Sequence, residues 1–133
     1  MKAALTAFLL ADTGLAAVIA DRIDWNERPQ GEALPAMGLT RVSPGITYQH
    51  AGPIDLERAR VQADCWGTTA LECETLASAL RTAVETMHEA RDGVMLERGF
   101  IETMIDTNPE ALGGGAMVHR IIVDFFVWHR RQA

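Results

Sequence analysis

The chain has 133 residues, the length of one compact domain, so we expect a single domain over residues 1–133. Hydrophobic residues make up 48% and charged residues 23%, which are values of an ordinary globular protein and exclude extensive disorder or a collagen-like repeat. Eighteen acidic residues against twelve basic ones give a net charge of −6, which argues against tight binding to nucleic-acid phosphates.

The N-terminal residues have the pattern of two short helices. Apolar residues at helical spacing fill an alanine-rich segment that ends near Ala11, and Asp12 or Thr13 is suited to cap a second helix. Lys2 and the apolar run after it resemble the start of a signal peptide, but the run is short, so we expect a buried amphipathic helix. Because no segment approaches the roughly 20 apolar residues of a membrane span, we expect no membrane partner.

The middle of the chain predicts a surface connection followed by two strands. Residues 22–36 contain two prolines and a glycine and are expected to be an ordered connection without regular structure. Met37–Val42 is expected to be a strand that ends in a turn at Ser43-Pro44-Gly45. From Arg58 to Trp66, small apolar residues alternate with polar ones, which is the period of a strand with one buried face.

A long helix is predicted from Thr69 onward. Thr69 and Glu72 have the spacing of a capping box, in which each side chain accepts a hydrogen bond from a backbone N–H of the first turn. Apolar residues then recur at threes and fours as far as Met87, so we expect this helix to cover one face of the sheet. Arg91-Asp92-Gly93 is expected to stop it.

The C-terminal third predicts two strands joined by a loop. Val94–Ile105 is expected to be a strand with a bulge near Gly99. Thr107–Gly115 is expected to be an exposed, mobile loop because it is rich in turn formers. Met117–His129 has the clearest alternation, with large apolar side chains on both faces. His129 and the two arginines after it are expected to form a solvated basic tail.

The second face of this sheet needs a cover. The long helix can cover only one side, which leaves Trp66, Ile122, Phe126 and Trp128 to pack against something else. Two covers are open at this stage, namely the N-terminal helices of the same chain or another subunit.

No catalytic or metal-binding arrangement is evident, and we expect no enzyme activity and no cofactor. Asp12-Thr13-Gly14 matches the triplet of dimeric aspartic proteases, in which each subunit supplies one aspartate. Its helical flank makes a homodimeric protease only a distant alternative. The histidines and cysteines lack the spacings of metal ligands or of a disulfide framework, which is typical of a protein from a reducing cytoplasm. These residues are His50, His88, His119, His129, Cys65 and Cys73.

A series of short motifs follows one another between about Leu5 and Arg130. They are Arg22-Ile23, Pro29-Gln30-Gly31, Leu34-Pro35-Ala36, Gly52-Pro53, Arg58-Ala59-Arg60-Val61-Gln62, Asp64-Cys65-Trp66, the long helix, Asp124-Phe125 and Val127-Trp128. In order and spacing the chain resembles the small tail-completion proteins of long-tailed bacteriophages. These proteins are also called tail terminator or head–tail joining proteins, and they occur in gene transfer agents as well.

This resemblance implies a fold and a role. The fold is α+β, with a mainly antiparallel sheet of about four strands, one long helix on one face, and short N-terminal helices. The role is that of a structural virion protein that forms a homohexameric ring at the head-proximal end of the tail tube, stops tube polymerisation and joins the tail to the head connector. A different neck or minor tail component of similar fold is the alternative.

The resemblance also implies partners and a location. The expected partners are further copies of this chain, the tail tube protein, and a head–tail connector or stopper protein. DNA is expected to pass through the lumen of the ring without specific binding, because the acidic balance repels phosphates. The expected location is the neck end of the virion tail, after assembly in the cytoplasm of the bacterial host.

Two groups of residues are expected to make the contacts between subunits. The loop is expected to contact neighbouring ring or tube subunits through Thr107, Asn108, Pro109, Gly113, Gly114 and Gly115. The strands are expected to contribute Trp66, Ile122, Phe126 and Trp128, together with Arg58, Arg60, Asp64 and Asp124 on the face opposite the helix. The four charged side chains are expected to pair across strands or across subunits, and pairing within one subunit is slightly favoured.

Overall fold

The computed structural model of the chain describes residues 1–26, 34–43, 48–49, 52–53, 56–113 and 116–131. Within these residues, three helices pack on one face of a seven-stranded sheet. The helices are α1 (Lys2–Ala11), α2 (Thr13–Ile19) and α3 (Ala70–Glu85). The strands are β1 (Ile23–Trp25), β2 (Ala36–Ser43), β3 (Tyr48–Gln49), β4 (Gly52–Pro53), β5 (Leu56–Gly67), β6 (Glu89–Arg91), β7 (Val94–Asp106), β8 (Glu110–Gly113) and β9 (Ala116–Arg131).

The sheet has the strand order β1-β2-β5-β9-β7-β6, and β8 pairs with the beginning of β9. All of its pairs are antiparallel except β1 with β2, which is parallel. β3 and β4 form a separate antiparallel pair. The prediction of an α+β fold is confirmed, but the prediction of about four strands is wrong. The four expected strands are the central ones, β2, β5, β7 and β9, and the sheet gains β1, β6 and β8 at its margins.

α1 ends at Ala11, as the sequence predicts, whereas α3 begins where predicted and ends early, at Glu85, so the prediction of one long helix is wrong. The Asp12 carboxylate caps α2 by accepting a hydrogen bond from the backbone N–H of Leu15, at 2.9 Å. The Thr69 hydroxyl caps α3 by accepting from the backbone N–H of Glu72, at 3.1 Å. The Glu72 carboxylate accepts from the N–H and the hydroxyl of Thr68, one residue earlier than a capping box requires. No described helix is long, since α3, the longest, has 16 residues.

The Asp92-Gly93 turn has a different role from the one predicted. α3 ends at Glu85, and the chain then forms β6 before it reaches these two residues. Asp92 and Gly93 have φ values of 48° and 76°, and they connect β6 to β7 as a two-residue hairpin. Two positive φ angles in succession suit the right-handed twist of such a hairpin, so Gly93 ends a strand and not a helix.

β7 carries two bulges, one between Leu96 and Arg98 and one between Ile101 and Thr103. The prediction of a bulge near Gly99 is therefore confirmed, with one bulge on each side of that residue. A Cβ atom on Gly99 would lie only 2.6 Å from the carbonyl oxygen of Val84 in α3, so the glycine allows α3 to approach the sheet closely.

The hydrophobic core lies between the sheet and the three helices. Its fully buried members come from the N-terminal helices, from α3 and from alternate positions of the strands. No single described helix is long and apolar enough to cross a membrane; α1 and α2 have the length and composition only as a pair, with a bend of 86° between them. They bury Leu5, Leu9, Leu15 and Ile19 in this core.

Candidate assembly surface

Alternate residues of the central strands point to opposite faces of the sheet. In β9, Phe125 and Val127 are completely buried beneath the helices, whereas Phe126 and Trp128 are only partly buried on the opposite face. α3 contacts β5, β7 and β9, α2 packs on α3, and α1 contacts β6 and β7. All three helices therefore cover one face. We call the other face of β2, β5, β9 and β7 the open face, because none of the three helices packs on it.

The open face brings together eight of the residues predicted to make subunit contacts. In the register of β5 with β9, Arg58 lies opposite Trp128, Arg60 opposite Phe126, and Asp64 opposite Ile122. Asp124 and Trp66 complete the set, opposite Gln62 and Arg120 respectively. The two-residue period is what places them together. The N-terminal helices, one of the two covers considered from sequence, lie on the other side of the sheet.

Arginine side chains stack on the aromatic rings of the open face. The Arg58 guanidinium lies 4.6 Å from the centre of the Phe126 ring and 5.8 Å from that of Trp128. Arg120 lies 5.0 Å from the Trp66 ring, which is only 5% exposed. A planar guanidinium over a ring combines a cation–π attraction with burial of the ring surface. The rings are thus partly covered within the subunit, and the guanidinium groups present charge outward.

The charged residues of this face form ion pairs across β5, β9 and β7. Arg60 bridges β7 and β9, with Nε 3.2 Å from a Glu102 carboxylate oxygen and Nη2 3.4 Å from an Asp124 carboxylate oxygen. The Thr103 hydroxyl donates to the same Asp124 oxygen at 3.2 Å. Pairing within the subunit, the alternative favoured from sequence, is therefore present for Arg60 and Asp124. Arg58 differs, because its described contacts are with aromatic rings.

Asp64 is a second partly buried carboxylate of this network, with its side chain 17% exposed. Burial raises its pKa above the ordinary value, although Arg120 and a hydrogen bond from Gln62 act in the opposite direction. The Arg120 Nη1 atom lies 3.9 Å from the carboxylate, and Gln62 Nε2 donates to it at 3.4 Å. A half-buried carboxylate held by two neighbours gives this part of the open face a fixed arrangement of charge.

Sequence reasoning missed four participants in this surface, namely Arg98, Phe100, Glu102 and Arg120. Arg98 stacks on Phe100 at 4.7 Å and extends the arginine–aromatic pattern onto β7. Arg120 could have been found by continuing the alternation of β9 back from Ile122. The three residues of β7 were hidden because its bulges interrupt the two-residue period.

The segment predicted as an irregular loop is largely a β-hairpin. β8 pairs with the first residues of β9, Glu110 opposite Val118 and Gly113 opposite Ala116. β5 pairs with β9 only from His119 onward, so the hairpin extends beyond the sheet. We call residues 107–113 together with 116–118 the arm. Gly114 and Gly115 lie outside the described residues.

The base of the arm is tied to the sheet through Thr107. Its backbone N–H and its hydroxyl both donate to the carbonyl oxygen of Arg120, each at 3.1 Å. Asn108 and Pro109 follow without regular structure and are exposed. The prediction of an exposed segment holds for these residues, whereas the prediction of an irregular loop is wrong for Glu110–Gly113, because backbone pairing with β9 orders it.

The groups weighed for chemistry have structural roles. Asp12 of the protease-like triplet is the cap of α2 described above, and Thr13 and Gly14 are the first residues of that helix. Burial raises the pKa of the Cys65 thiol, and that of Cys73 to about 11, so both are held as neutral thiols. In the described part of the chain, no three His, Cys, Asp or Glu residues come close enough to hold a metal ion.

His129 is buried, contrary to the prediction of a solvated basic tail. It is 6% exposed and points from β9 to the helix-covered face, where Nε2 lies 4.0 Å from a Glu57 carboxylate oxygen. Burial is the main reason that its pKa lies below the ordinary value, and the positive charges of the N-terminus and Arg41 act in the same direction. Glu57 only partly offsets them. The imidazole is therefore neutral at pH 7.

Comparison with known proteins gives a family and two similar folds. A family model described as "Tail completion protein gp17" matches residues 3–130. A solved chain from the virion of a native gene transfer agent particle is similar, with a TM-score of 0.61 and 16% identity over 98% of this chain and 94% of that one. A second solved chain has a TM-score of 0.56 and 15% identity over 99% of this chain and 93% of that one. A search of curated protein sequences found no match.

Proposed function

The chain belongs to the tail completion protein gp17 family, a family of structural proteins of phage-type tails, and we propose that it forms a homohexameric ring at the head-proximal end of the tail tube. In this role it stops polymerisation of the tube protein and presents the surface to which a head–tail connector or stopper protein is joined. The ring assembles in the cytoplasm of the bacterial host and becomes the neck end of the virion tail.

The open face is the observation that carries this proposal. It holds arginines and aromatic rings in cross-strand register, and all three helices lie on the opposite side of the sheet. Arginine and aromatic side chains are enriched at the centres of protein–protein interfaces, and paired charges there fix the register of the partner. A second protein surface therefore suits this face, whether from a neighbouring copy or from the tube. The contact residues are Arg58, Arg60, Asp64, Trp66, Ile122, Asp124, Phe126 and Trp128.

The arm supplies a second contact in the proposal. Val118 of the arm is buried within the subunit, but residues 108–111 and Met117 are exposed. Because a hairpin of two strands has marginal stability by itself, contact with a neighbouring ring or tube subunit would fix the position of the exposed part. Met117 of β9 is 43% exposed there and offers an apolar side chain for that contact. The proposed contact residues of this segment are Thr107, Asn108, Pro109 and Gly113, with Gly114 and Gly115 after them in sequence.

An acidic ring suits the passage of DNA. The chain carries a net charge of −6, so six copies repel phosphates and give a passing duplex little to adhere to. This step predicts that the residues lining the lumen are mostly acidic or neutral. Replacing such acids by lysine is expected to slow DNA passage, and passage at an unchanged rate would remove this part of the proposal.

Electron microscopy of particles from a deletion strain tests the proposed function. Overlong or irregular tails without heads are expected if the chain terminates the tube, and a plasmid copy of the gene restores normal particles as the control. Tails of normal length that lie apart from filled heads would leave only the joining role. Fully normal particles in the deletion strain would overturn the proposal.

A further inference from the structure

Three aromatic rings and two arginines form a cluster on the open face, across β5, β9 and β7. In the register of β7 with β9, Phe100 lies opposite Phe126, and Arg98 lies opposite Trp128. The Arg98 guanidinium stacks on Phe100, as the Arg58 guanidinium does on Phe126. Phe100 is nevertheless 42% exposed, which is high for a ring in a regular strand. We call these five residues the arginine–aromatic cluster.

The positive charge of the cluster is not neutralised by the described residues. The carboxylates on either side of Arg98 in β7 are paired with other arginines. Glu97 pairs with Arg130 at 2.5 Å, and Glu102 pairs with Arg60 at 3.2 Å. Within the described ranges, the side chain of Arg98 contacts only a ring, and no carboxylate forms an ion pair with it. The cluster therefore presents an apolar surface together with unpaired positive charge.

The charge of the whole chain indicates what kind of surface fits this cluster. Eighteen acidic residues outnumber twelve basic ones, although the described carboxylates of the open face are matched by arginines of the same face. The excess of negative charge therefore belongs to the rest of the chain. Another copy that approaches the cluster with a different surface brings acidic groups to it, and opposite charges orient such a contact.

The first two turns of α3 carry an exposed surface of the matching kind. Leu71 is 71% exposed, the highest value of any large apolar side chain in the described ranges. Glu74 follows one turn later on the same side of the helix and is exposed as well. Among the residues that the structure describes, no cation forms an ion pair with Glu74. This surface therefore combines an uncovered apolar side chain with unpaired negative charge.

We propose that the first two turns of α3 dock on the arginine–aromatic cluster of a second copy of this chain. Leu71 then lies against the Phe100 ring, and the Glu74 carboxylate lies beside the Arg98 guanidinium. The spacing fits, because residues three apart on a helix are separated by about 5 Å along its axis and alternate residues of a strand by about 7 Å. A groove of about 500 Å³ beside β7, lined in part by Arg98 and Phe100, gives room for the leucine side chain.

Such a contact repeats from one copy to the next. α3 lies on the helix-covered side of the sheet and the cluster lies on the open face, so two copies cannot exchange both contacts at once. The contact is therefore heterologous, the type that builds rings and not closed dimers. This inference rests on the proposed ring and assigns its subunit contact. The arm and the remainder of the open face stay available for the tube and the connector.

Charge reversal tests the pairing of Glu74 with Arg98. Glu74→Arg and Arg98→Glu are each expected to lower incorporation into particles by about tenfold or more, because like charges then meet across the contact. The double variant restores opposite charges and is expected to recover incorporation. Arg91→Glu, in β6 and away from both surfaces, is the control and should be incorporated normally. A double variant that folds, by urea unfolding, and is no better incorporated than the single variants would overturn the proposal.

Cysteine cross-linking in assembled particles tests the apolar contact. Leu71→Cys combined with Phe100→Cys, treated with a short bismaleimide, is expected to give a ladder of covalent oligomers beyond the dimer. A link within one chain is too long, because about 20 Å of helix separates Leu71 from Val84, which lies beside Gly99. Each single variant and the wild-type chain, whose cysteines are buried, are controls expected to give no ladder.

Other products would overturn the proposal. Dimers from Phe100→Cys alone would show that two open faces meet, and a cross-link from that position to another protein would show that a tail component occupies the cluster. Particles that contain the double variant without a ladder would remove the inference while leaving the proposed function intact. Wild-type particles that lack the chain altogether would instead remove the proposed function.

Discussion

The Arg58 guanidinium stacks over the Phe126 ring at 4.6 Å, across the β5–β9 pair and on the face that no described helix covers. An arginine that covers a ring in the free subunit also presents its charge to a partner. Loss of this arginine should therefore affect the stability of the subunit and its ability to assemble to different degrees, and the two can be measured independently.

The Arg58→Ala substitution tests that separation. We expect the free energy of unfolding to fall by only about 0.5–1 kcal/mol, the size of an exposed cation–π contact. We expect assembly into tails to fail more severely, because the exposed ring loses its charged partner group. Urea unfolding measures the first and incorporation into particles the second. Arg91→Ala, at a partly exposed position of β6 away from the open face, is the control and should assemble normally.

The close approach of Gly99 to Val84 predicts a large effect from one methyl group. A Cβ at position 99 would lie 2.6 Å from the Val84 carbonyl oxygen. This oxygen belongs to the backbone of α3, which cannot move aside as the end of a flexible side chain can. Gly99→Ala is therefore expected to lower the free energy of unfolding by about 1–3 kcal/mol, as overpacking does elsewhere. Gly14→Ala, where the nearest atom is an Asp12 side-chain oxygen at 3.2 Å, is the control with the smaller expected cost. Equal effects in urea unfolding would contradict this reading of Gly99.

The buried His129 predicts that the subunit loses stability in mild acid. Its pKa in the folded chain is below the ordinary value of 6.5, so the unfolded chain binds a proton first as the pH falls. The contribution is fully present above about pH 6.5 and is lost progressively below it, down to the lowered pKa. Unfolding free energies measured between pH 5 and 7.5, with about 6.5 as the reference pKa, should therefore rise with pH.

A substitution identifies His129 as the source of this dependence. Because glutamine does not titrate, His129→Gln is expected to flatten the slope of stability against pH, whatever its effect on stability at pH 7. Glu57, Arg41 and the N-terminal amino group face the imidazole and remain in place. A slope identical to that of the wild-type chain would assign the pH dependence to other groups.

A deletion in the arm is expected to leave the fold of the subunit intact. The described residues of β9 before His119 pair only with β8, so removing Gly113–Gly115 shortens the arm and leaves the pairing of β5, β7 and β9 in place. The midpoint of thermal unfolding is expected to stay within a few degrees of the wild-type value, while capping of tubes is reduced. Tail lengths in complemented deletion strains provide the readout. Tails of normal length and normal head attachment would contradict a role for the arm.

The sequence predicts the central strands well because their periodicity is physical. β5 and β9 alternate without interruption, so the partners of the open face, such as Arg58 and Trp128, could be placed on one side before their pairing was known. The cap at Thr69 could also be predicted from sequence, since a threonine hydroxyl three residues before a glutamate satisfies the free N–H groups of a helix start.

The elements and residues that were not predicted correctly have equally specific causes. β1, β6 and β8 have three or four residues each, too few for a period to be visible, and they form because a neighbouring strand is already in place. The bulges of β7 shifted Arg98 and Phe100 out of the expected alternation. His129 looked solvated because two arginines follow it, although the strand period continues through it and turns it inward.

The central claim is that six copies of this chain form a ring between the tail tube and the head. Cryo-electron microscopy of the neck of intact particles tests it most directly, because position and copy number are read from the same map. The ring proposal predicts six copies at the head-proximal end of the tube, with the Arg58–Phe126 face covered by a neighbouring protein. A neck whose density is filled by other chains, with this one absent or in another copy number, would contradict it.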